Sequence, residues 1–135
     1  LANRFNVPML ADEAVQDARD GLDLICSGFS GAFALKIAKS GGIHGALELA
    51  HLAQAAGIGL YGGTLLEGTI GTAASLHAWA TLPEMAWGTE MFGPLLLQDD
   101  IVVSPLDYSE FGVALPPGPG LGITLDEDKL AHYAR

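Results

Sequence analysis

Short apolar runs alternate with helical patterns at nearly even spacing along the first two thirds of the chain. The strand-like runs are VPMLADE from Val7, AFALKIAK from Ala32, GIGLYGG from Gly57 and MAWGTE from Met85. The helical patterns between them cover residues 13–21, 43–56 and 70–82. This alternation predicts an α/β fold in which parallel strands are joined by right-handed crossovers, either as an open doubly wound sheet or as a closed barrel.

Polar side chains follow every one of these apolar runs. They are Asp12 and Glu13, then Lys36 and Lys39, then Tyr61, Thr64 and Glu67, and finally Glu90. Functional groups at the carboxyl ends of successive strands are typical of a β/α barrel, whose active site is built there. A complete barrel needs about 250 residues and eight units, whereas this chain shows four. We therefore expect the carboxyl-terminal half of a larger enzyme, with a portion preceding Leu1.

The pattern changes after Pro94, where turn signals replace the regular alternation. We expect residues 1–95 to form a half-barrel of about four units and residues 96–135 to form an accessory segment packed against it. Thr124 and Glu127 fit a capping box at the start of one last helix. The glycine-rich stretch from Pro116 to Gly122 is interpreted as a plain loop.

Lys36 is the leading catalytic candidate, because it stands inside an apolar run where an unpaired ammonium is costly to bury. A period of two sets it on one strand face with Ala34 and Ala38. The alternative is a buried structural ion pair. Glu90 repeats the pattern of a charged tip above small neighbours, and Lys39 is expected to reach solvent. Asp12 suits either a hard divalent cation or a helix cap.

Composition removes several classes of function. The 135 residues are 50% hydrophobic with a net charge of -10, which leaves no basic patch for nucleic acid or an anionic membrane. Cys26 is the single cysteine, so we expect a reducing cytoplasm, with Cys26 and both tryptophans in the core. The histidines lack zinc-site spacing and are expected on helix surfaces, at positions 44, 51, 77 and 132.

Five segments, read in order, resemble the carboxyl-terminal half of the muconate cycloisomerases, which are members of the enolase superfamily. They are VPMLADE, ALKIAKSGG, AGIGLYGGTLLEGTIGT, WGTEMFGPLLL and GPGLGITLDE. The resemblance implies a TIM-like (β/α) barrel half with a carboxyl-terminal segment of the capping domain. Chloromuconate cycloisomerases and o-succinylbenzoate synthases are related alternatives; the former tend to carry Asp-Ser where this chain has Glu67 and Gly68.

The resemblance also implies roles for individual residues. Asp12 matches a carboxylate ligand of a divalent metal, Mn²⁺ or Mg²⁺; Lys36 matches the acid/base lysine; and Glu90 matches a glutamate that faces the substrate. The implied reaction is reversible lactonisation of cis,cis-muconate, a small dicarboxylate, with Lys36 protonating an enolate-like intermediate. The implied enzyme is a cytoplasmic homo-oligomer of aromatic catabolism.

Most of the family's machinery would lie in an amino-terminal half that this chain lacks, including two of three metal carboxylates. We therefore expect the chain to be catalytically silent without that half. The non-enzyme alternative is a half-barrel that pairs its open sheet edges with a second copy.

Overall fold

The computed structural model describes residues 4–5 and 7–134. Its elements in chain order are β1 (Leu10–Ala11), α1 (Ala18–Cys26), β2 (Ala32–Leu35), α2 (Ile43–Ala55), β3 (Gly59–Gly62), α3 (Thr69–Trp79), a 3-10 helix (Gly93–Leu96) and α4 (Glu127–Tyr133). The strands form one parallel sheet in the order β1, β2, β3. Ala32 pairs with Leu10 on one side and with Gly59 on the other. The predicted α/β alternation with a parallel sheet is confirmed.

The segment expected to form a fourth strand from Met85 follows β3 without becoming a regular strand. A single parallel bridge joins Gly62 to Thr89. The Glu90 amide donates to the Gly62 carbonyl at 2.9 Å, which keeps the segment beside β3. Gly88 has a φ of 78°, outside the extended region, so the backbone cannot continue as a strand through this position. The prediction of a full strand here is wrong, although the position beside β3 is right.

The core lies between the sheet and its helices. Phe33 and Leu35 of β2 are fully buried and pack in one cluster with Leu49 of α2. Helix α1 approaches α2 at Gly21, where an added Cβ would lie 2.6 Å from Leu49 Cδ1. Gly21 is therefore a contact point between helices, and not the end of the first helix as the sequence pattern suggested.

The first helix begins later than residues 13–21 predicted. Asp17 is its N-cap, and the Asp17 carboxylate accepts hydrogen bonds from the amides of Arg19 and Asp20 at 2.9 and 3.0 Å. These bonds satisfy free amide groups of the first turn, so the helix starts at Ala18. The predictions for the second and third helices are confirmed to within about one turn.

The chain after the 3-10 helix (residues 97–134, called the tail) contacts both ends of α3. Asp100 Oδ2 accepts a hydrogen bond from the Thr69 amide at 2.7 Å, at the start of the helix. His77 Nε2 lies 3.1 Å from the Leu121 carbonyl oxygen near its other end. The predicted division at residues 95 and 96 remains a prediction.

The start of α4 corrects the expected capping box. Asp126 is the N-cap of this helix, and its carboxylate accepts a hydrogen bond from the Lys129 amide at 3.0 Å. Thr124 instead bonds through its backbone carbonyl to the Val103 amide. The segment from Pro116 to Gly122 contains neither helix nor strand, as expected.

Several side chains expected in the core or at the surface lie elsewhere. Cys26, expected to be buried, is exposed at the end of α1. Trp79 is in the core as expected, whereas Trp87 is partly exposed. The histidines at positions 44, 51 and 132 are exposed, but His77 is half-buried because its ring packs against the tail. No helix in the described part of the chain is long and apolar enough to cross a membrane.

Candidate functional site

Lys36 is the first residue after β2, and its side chain is only 6% exposed. Its ammonium lies 2.8 and 2.9 Å from the two carboxylate oxygens of Asp12 and 3.0 Å from Oε1 of Glu13. Both carboxylates follow β1, the strand that pairs with β2. Because parallel strands end at the same edge of a sheet, the chain places this charge cluster where the sequence predicted functional groups.

Lys39 belongs to the same cluster, which corrects the expectation that it reaches solvent. Its side chain is 7% exposed, and its ammonium donates to the Asp12 main-chain oxygen at 2.7 Å and to the Ala34 carbonyl at 3.0 Å. It also contacts Asp12 Oδ1 at 3.2 Å. Lys39 therefore joins the ends of β1 and β2 and fixes Asp12 through both its backbone and its carboxylate.

The charges of the cluster shift one another's pKa values. Burial acts to lower the pKa of Lys36, but the hydrogen bonds and negative charges of Asp12 and Glu13 outweigh it, so this pKa is raised. Burial dominates for Lys39 and lowers its pKa despite the contact with Asp12. Burial alone would raise the pKa of Asp12, but its bonds to both lysines lower it. Asp12 is accordingly an ionised carboxylate shared by two ammonium groups.

Asp12 was expected to cap a helix or to bind a metal. The first alternative is wrong, because Asp17 caps α1 and the Asp12 carboxylate faces the two lysines. For the second, residues 4–5 and 7–134 contain no group of three His, Cys, Asp or Glu side chains placed to hold a metal ion. The cluster offers the carboxylates of Asp12 and Glu13, both bonded to ammonium groups, and the described residues do not by themselves fit a divalent cation.

Glu90 lies beyond β3, on the other side of Lys36 from Asp12. Its Oε1 accepts a hydrogen bond from the Thr64 amide at 3.3 Å. Burial, then a hydrogen bond to the Glu90 side chain and its negative charge, raise the pKa of Tyr61. Among the described residues, no hydrogen bond or ion pair links Glu90 to Lys36 or Asp12. Glu90 is therefore held by the end of β3 and its following loop.

A cleft of about 480 Å³ opens beside Glu90. Its wall includes Phe92, Leu95, Tyr108 and Phe111, so the cleft lies between the region of Glu90 and the tail. Glu67, in contrast, folds back on its own loop, where its Oε2 accepts hydrogen bonds from the Thr64 hydroxyl and, at 2.8 Å, from the Leu65 amide. Unlike Asp12 and Lys36, Glu67 therefore makes its side-chain hydrogen bonds within its own loop.

The structure brings Asp12 and Lys36 into direct contact, and it places Glu90 on the far side of β3. Two members of the cluster were not predicted as site residues, Glu13 and Lys39. Glu13 carried a signal, because it follows Asp12 directly at the end of a strand-like run. The sequence signal for Lys39 was weaker, because its main partners are backbone oxygens that no side-chain pattern reveals.

Comparisons with known proteins identify relatives along the whole chain. The chain is 52% identical over all 135 residues to muconate cycloisomerase 1 from Pseudomonas putida, and 44% identical to chloromuconate cycloisomerase CbnB from Cupriavidus necator. Its structure matches that of muconate lactonizing enzyme from Klebsiella pneumoniae with a TM-score of 0.95 and 64% identity. This match covers 98% of the chain and 37% of that enzyme. The resemblance inferred from sequence is confirmed.

The chain spans 36% of the length of either curated relative. Residues 1–129 match the family model described as enolase C-terminal domain-like. This match covers nearly the whole chain, including the parallel sheet and the charge cluster at its edge. The chain therefore belongs to the enolase C-terminal domain-like family.

Proposed function

We propose that this chain supplies the lysine-bearing part of a muconate cycloisomerase, an isomerase that reversibly converts cis,cis-muconate to muconolactone. The observation that carries the proposal is Lys36, a nearly buried ammonium at a strand end with two carboxylates beside it. The 52% identity to muconate cycloisomerase 1 from Pseudomonas putida supports the choice of substrate. Matched relatives extend well beyond the chain, so we propose that the chain acts with an amino-terminal half and is silent without it.

Lys36 is the proton donor in this proposal. One carboxylate of the substrate forms a carbon–oxygen bond across a double bond, and the displaced electron pair makes an enolate at the other end. Lys36 protonates the carbon next to the second carboxylate and then regains a proton from solvent. Asp12 and Glu13 keep Lys36 protonated, which is the form that donates. Glu90 faces the substrate from beyond β3.

The resemblance implies Mn²⁺ or Mg²⁺ as a cofactor, which would polarise a substrate carboxylate when bound. We propose Asp12 as one ligand, with the remaining ligands outside the described residues. Asp12 is already held by Lys39, so its carboxylate has a fixed position whether or not Lys36 moves.

We also propose a cytoplasmic homo-oligomer. A single cysteine fits a reducing compartment, since the chain forms no internal disulfide. Exposed leucines at positions 65, 66, 95, 96 and 97 support burial against another surface.

The test measures muconate turnover by the protein expressed from its native gene. It compares the Lys36→Met variant with the Lys129→Met variant in the same assay. Lys129 is a surface lysine paired with Asp99 in the tail, and it serves as the matched control. General acid catalysis contributes typically about 10²- to 10⁴-fold, so we expect a loss of that size in kcat for Lys36→Met alone. Lys36→Met should also abolish exchange of the lactone's transferred hydrogen in D₂O.

A substrate panel separates the related activities. Muconate, a chloromuconate and the o-succinylbenzoate precursor are compared by kcat/KM. A preference for chloromuconate would move the assignment to the chloromuconate enzymes, and turnover of the third substrate alone would contradict the cycloisomerase proposal. Equal muconate turnover by Lys36→Met and Lys129→Met would remove Lys36 from the chemistry.

A further inference from the structure

The Lys36 stem is bounded on both sides by neighbouring strands. On the β1 side its ammonium is already at hydrogen-bonding distance from Asp12, 2.8 Å. On the β3 side lies Gly63, whose amide donates to the Leu35 carbonyl at 2.9 Å. The register places Leu35 opposite Gly62, so Gly63 comes beside Lys36. The Lys36 stem therefore lies between Asp12 on one side and Gly63, which has no side chain, on the other.

A side chain at Gly63 would occupy the space of this stem. An ideal Cβ there would lie 2.9 Å from Lys36 Cε and 3.1 Å from Lys36 Cγ, and 3.5 Å from the Leu35 carbonyl oxygen. Ordinary van der Waals contact of a Cβ atom begins at 3.4 Å, so Lys36 Cε would have to move away from the added Cβ by about 0.5 Å. Movement toward Asp12 would compress a charge-assisted hydrogen bond that is already short. The stem lies between Gly63 and the carboxylates, so a side chain at position 63 would have to displace the ammonium from its present contacts.

The backbone does not itself require glycine at position 63. Its φ is not among the positive values found at other glycines of the described chain. Alanine can adopt such a conformation without strain, so only the contact with Lys36 opposes a side chain. Lys36 Cε is near the flexible end of its side chain, and it can shift more readily than backbone can. We therefore expect a substitution to displace the ammonium rather than to unfold the protein.

We propose that Gly63 is a positioning residue for Lys36: the missing side chain leaves the space beside the end of β3 in which the lysine stem lies while its ammonium reaches Asp12 and Glu13. The proposal rests on the proposed role of Lys36 for its effect on activity. A misplacement of about 1 Å at a reacting group can cost about 10²-fold in rate. Gly63 thus influences the reaction without touching substrate.

The first experiment measures muconate turnover by Gly63→Ala in the protein expressed from its native gene. We expect kcat to fall about tenfold or more with little change in KM. The matched control is Gly21→Ala, at a buried glycine whose added Cβ would meet Leu49, remote from Lys36. This control should alter thermal stability and leave kcat nearly unchanged. An unchanged kcat for Gly63→Ala, in a protein where Lys36→Met is inactive, would overturn the positioning role alone.

The second experiment does not depend on activity. Lys36→Ala removes the atoms that a side chain at position 63 would meet, so in this background Gly63→Ala should no longer lower the melting temperature. A shift equal to that of Gly63→Ala in the unmodified protein would show that the stem is not the obstacle, and would overturn the proposal. If Lys36→Met retains full turnover while this thermal coupling is present, the proposed function fails and the packing relation stands.

Discussion

The N-terminus of α3 is capped by a side chain from the tail, and removing that side chain should destabilise the protein. Gly68 occupies the N-cap position and has no side chain to accept an amide hydrogen bond. Asp100 supplies the acceptor instead, with Oδ2 at 2.7 Å from the Thr69 amide. Its negative charge also faces the positive end of the helix dipole. The perturbation is Asp100→Ala, with Asp100→Asn to separate the charge from the hydrogen bond.

The magnitude follows from these two contributions. Loss of an N-cap acceptor costs about 1 kcal/mol. Loss of a carboxylate at a helix N-terminus costs about 0.3–1 kcal/mol. We therefore expect Asp100→Ala to lower the free energy of unfolding by about 1.5 kcal/mol. Asp100→Asn keeps one oxygen for the Thr69 amide but loses the charge and the second oxygen, which accepts the Ile101 amide. It should therefore cost less than Asp100→Ala and at least the charge contribution of about 0.5 kcal/mol.

Urea denaturation followed by circular dichroism measures this change. With m-values of about 1–3 kcal/mol/M, a loss of 1.5 kcal/mol lowers the midpoint by roughly 0.5–1.5 M. The control is Asp107→Ala, at an exposed acidic residue of the tail, because it makes the same change in net charge. A midpoint for Asp100→Ala equal to that of Asp107→Ala would refute the capping role. Equal losses for Asp100→Ala and Asp100→Asn would refute the division between acceptor and charge.

Two further changes test the packing and the charge cluster. Gly21→Ala gains about 1 kcal/mol of helix propensity but overpacks Leu49 at a cost of about 1–3 kcal/mol, so we expect net destabilisation in thermal denaturation. The loss should shrink in a Leu49→Ala background, which removes the nearest of the atoms that the added Cβ would meet. A stabilised single variant would contradict the close approach of α1 to α2. Lys39→Met leaves two strand-end carbonyls without their ammonium donor and should cost about 2 kcal/mol in urea denaturation. Lys129→Met, at an exposed pair, should cost less, and an equal loss would argue against a structural role for Lys39.

The sequence pattern was sufficient for elements that are long and regular. The helix predicted over 43–56 is observed at Ile43–Ala55, because its apolar face and the glycine after it are both local signals. The first helix was misplaced because the apolar pattern alone does not show that Asp17 caps it. The strand expected from Met85 fails at a glycine with positive φ, a backbone property that composition does not reveal.

The same distinction applies to the site. Lys36 could be singled out from sequence, since a charge inside an apolar run contradicts the local pattern. Its pairing with Asp12 was not predicted, and it arises because β1 and β2 end at the same edge of the sheet. Lys39 could not be placed, because it is held by carbonyl oxygens that converge only when β1 and β2 are paired. Gly63 has no side chain to notice, and its importance depends on what lies beside it.

The attachment of the tail to both ends of α3 limits how homologous genes can be recombined. Asp100 bonds at one end of the helix and the Leu121 carbonyl at the other, so the helix and the tail are inherited most safely from a single parent. A crossover between residues 80 and 99 would bring together a helix and a cap selected in different proteins. A crossover before Gly68 keeps both attachments, and it gives libraries of chimeric relatives a natural exchange boundary.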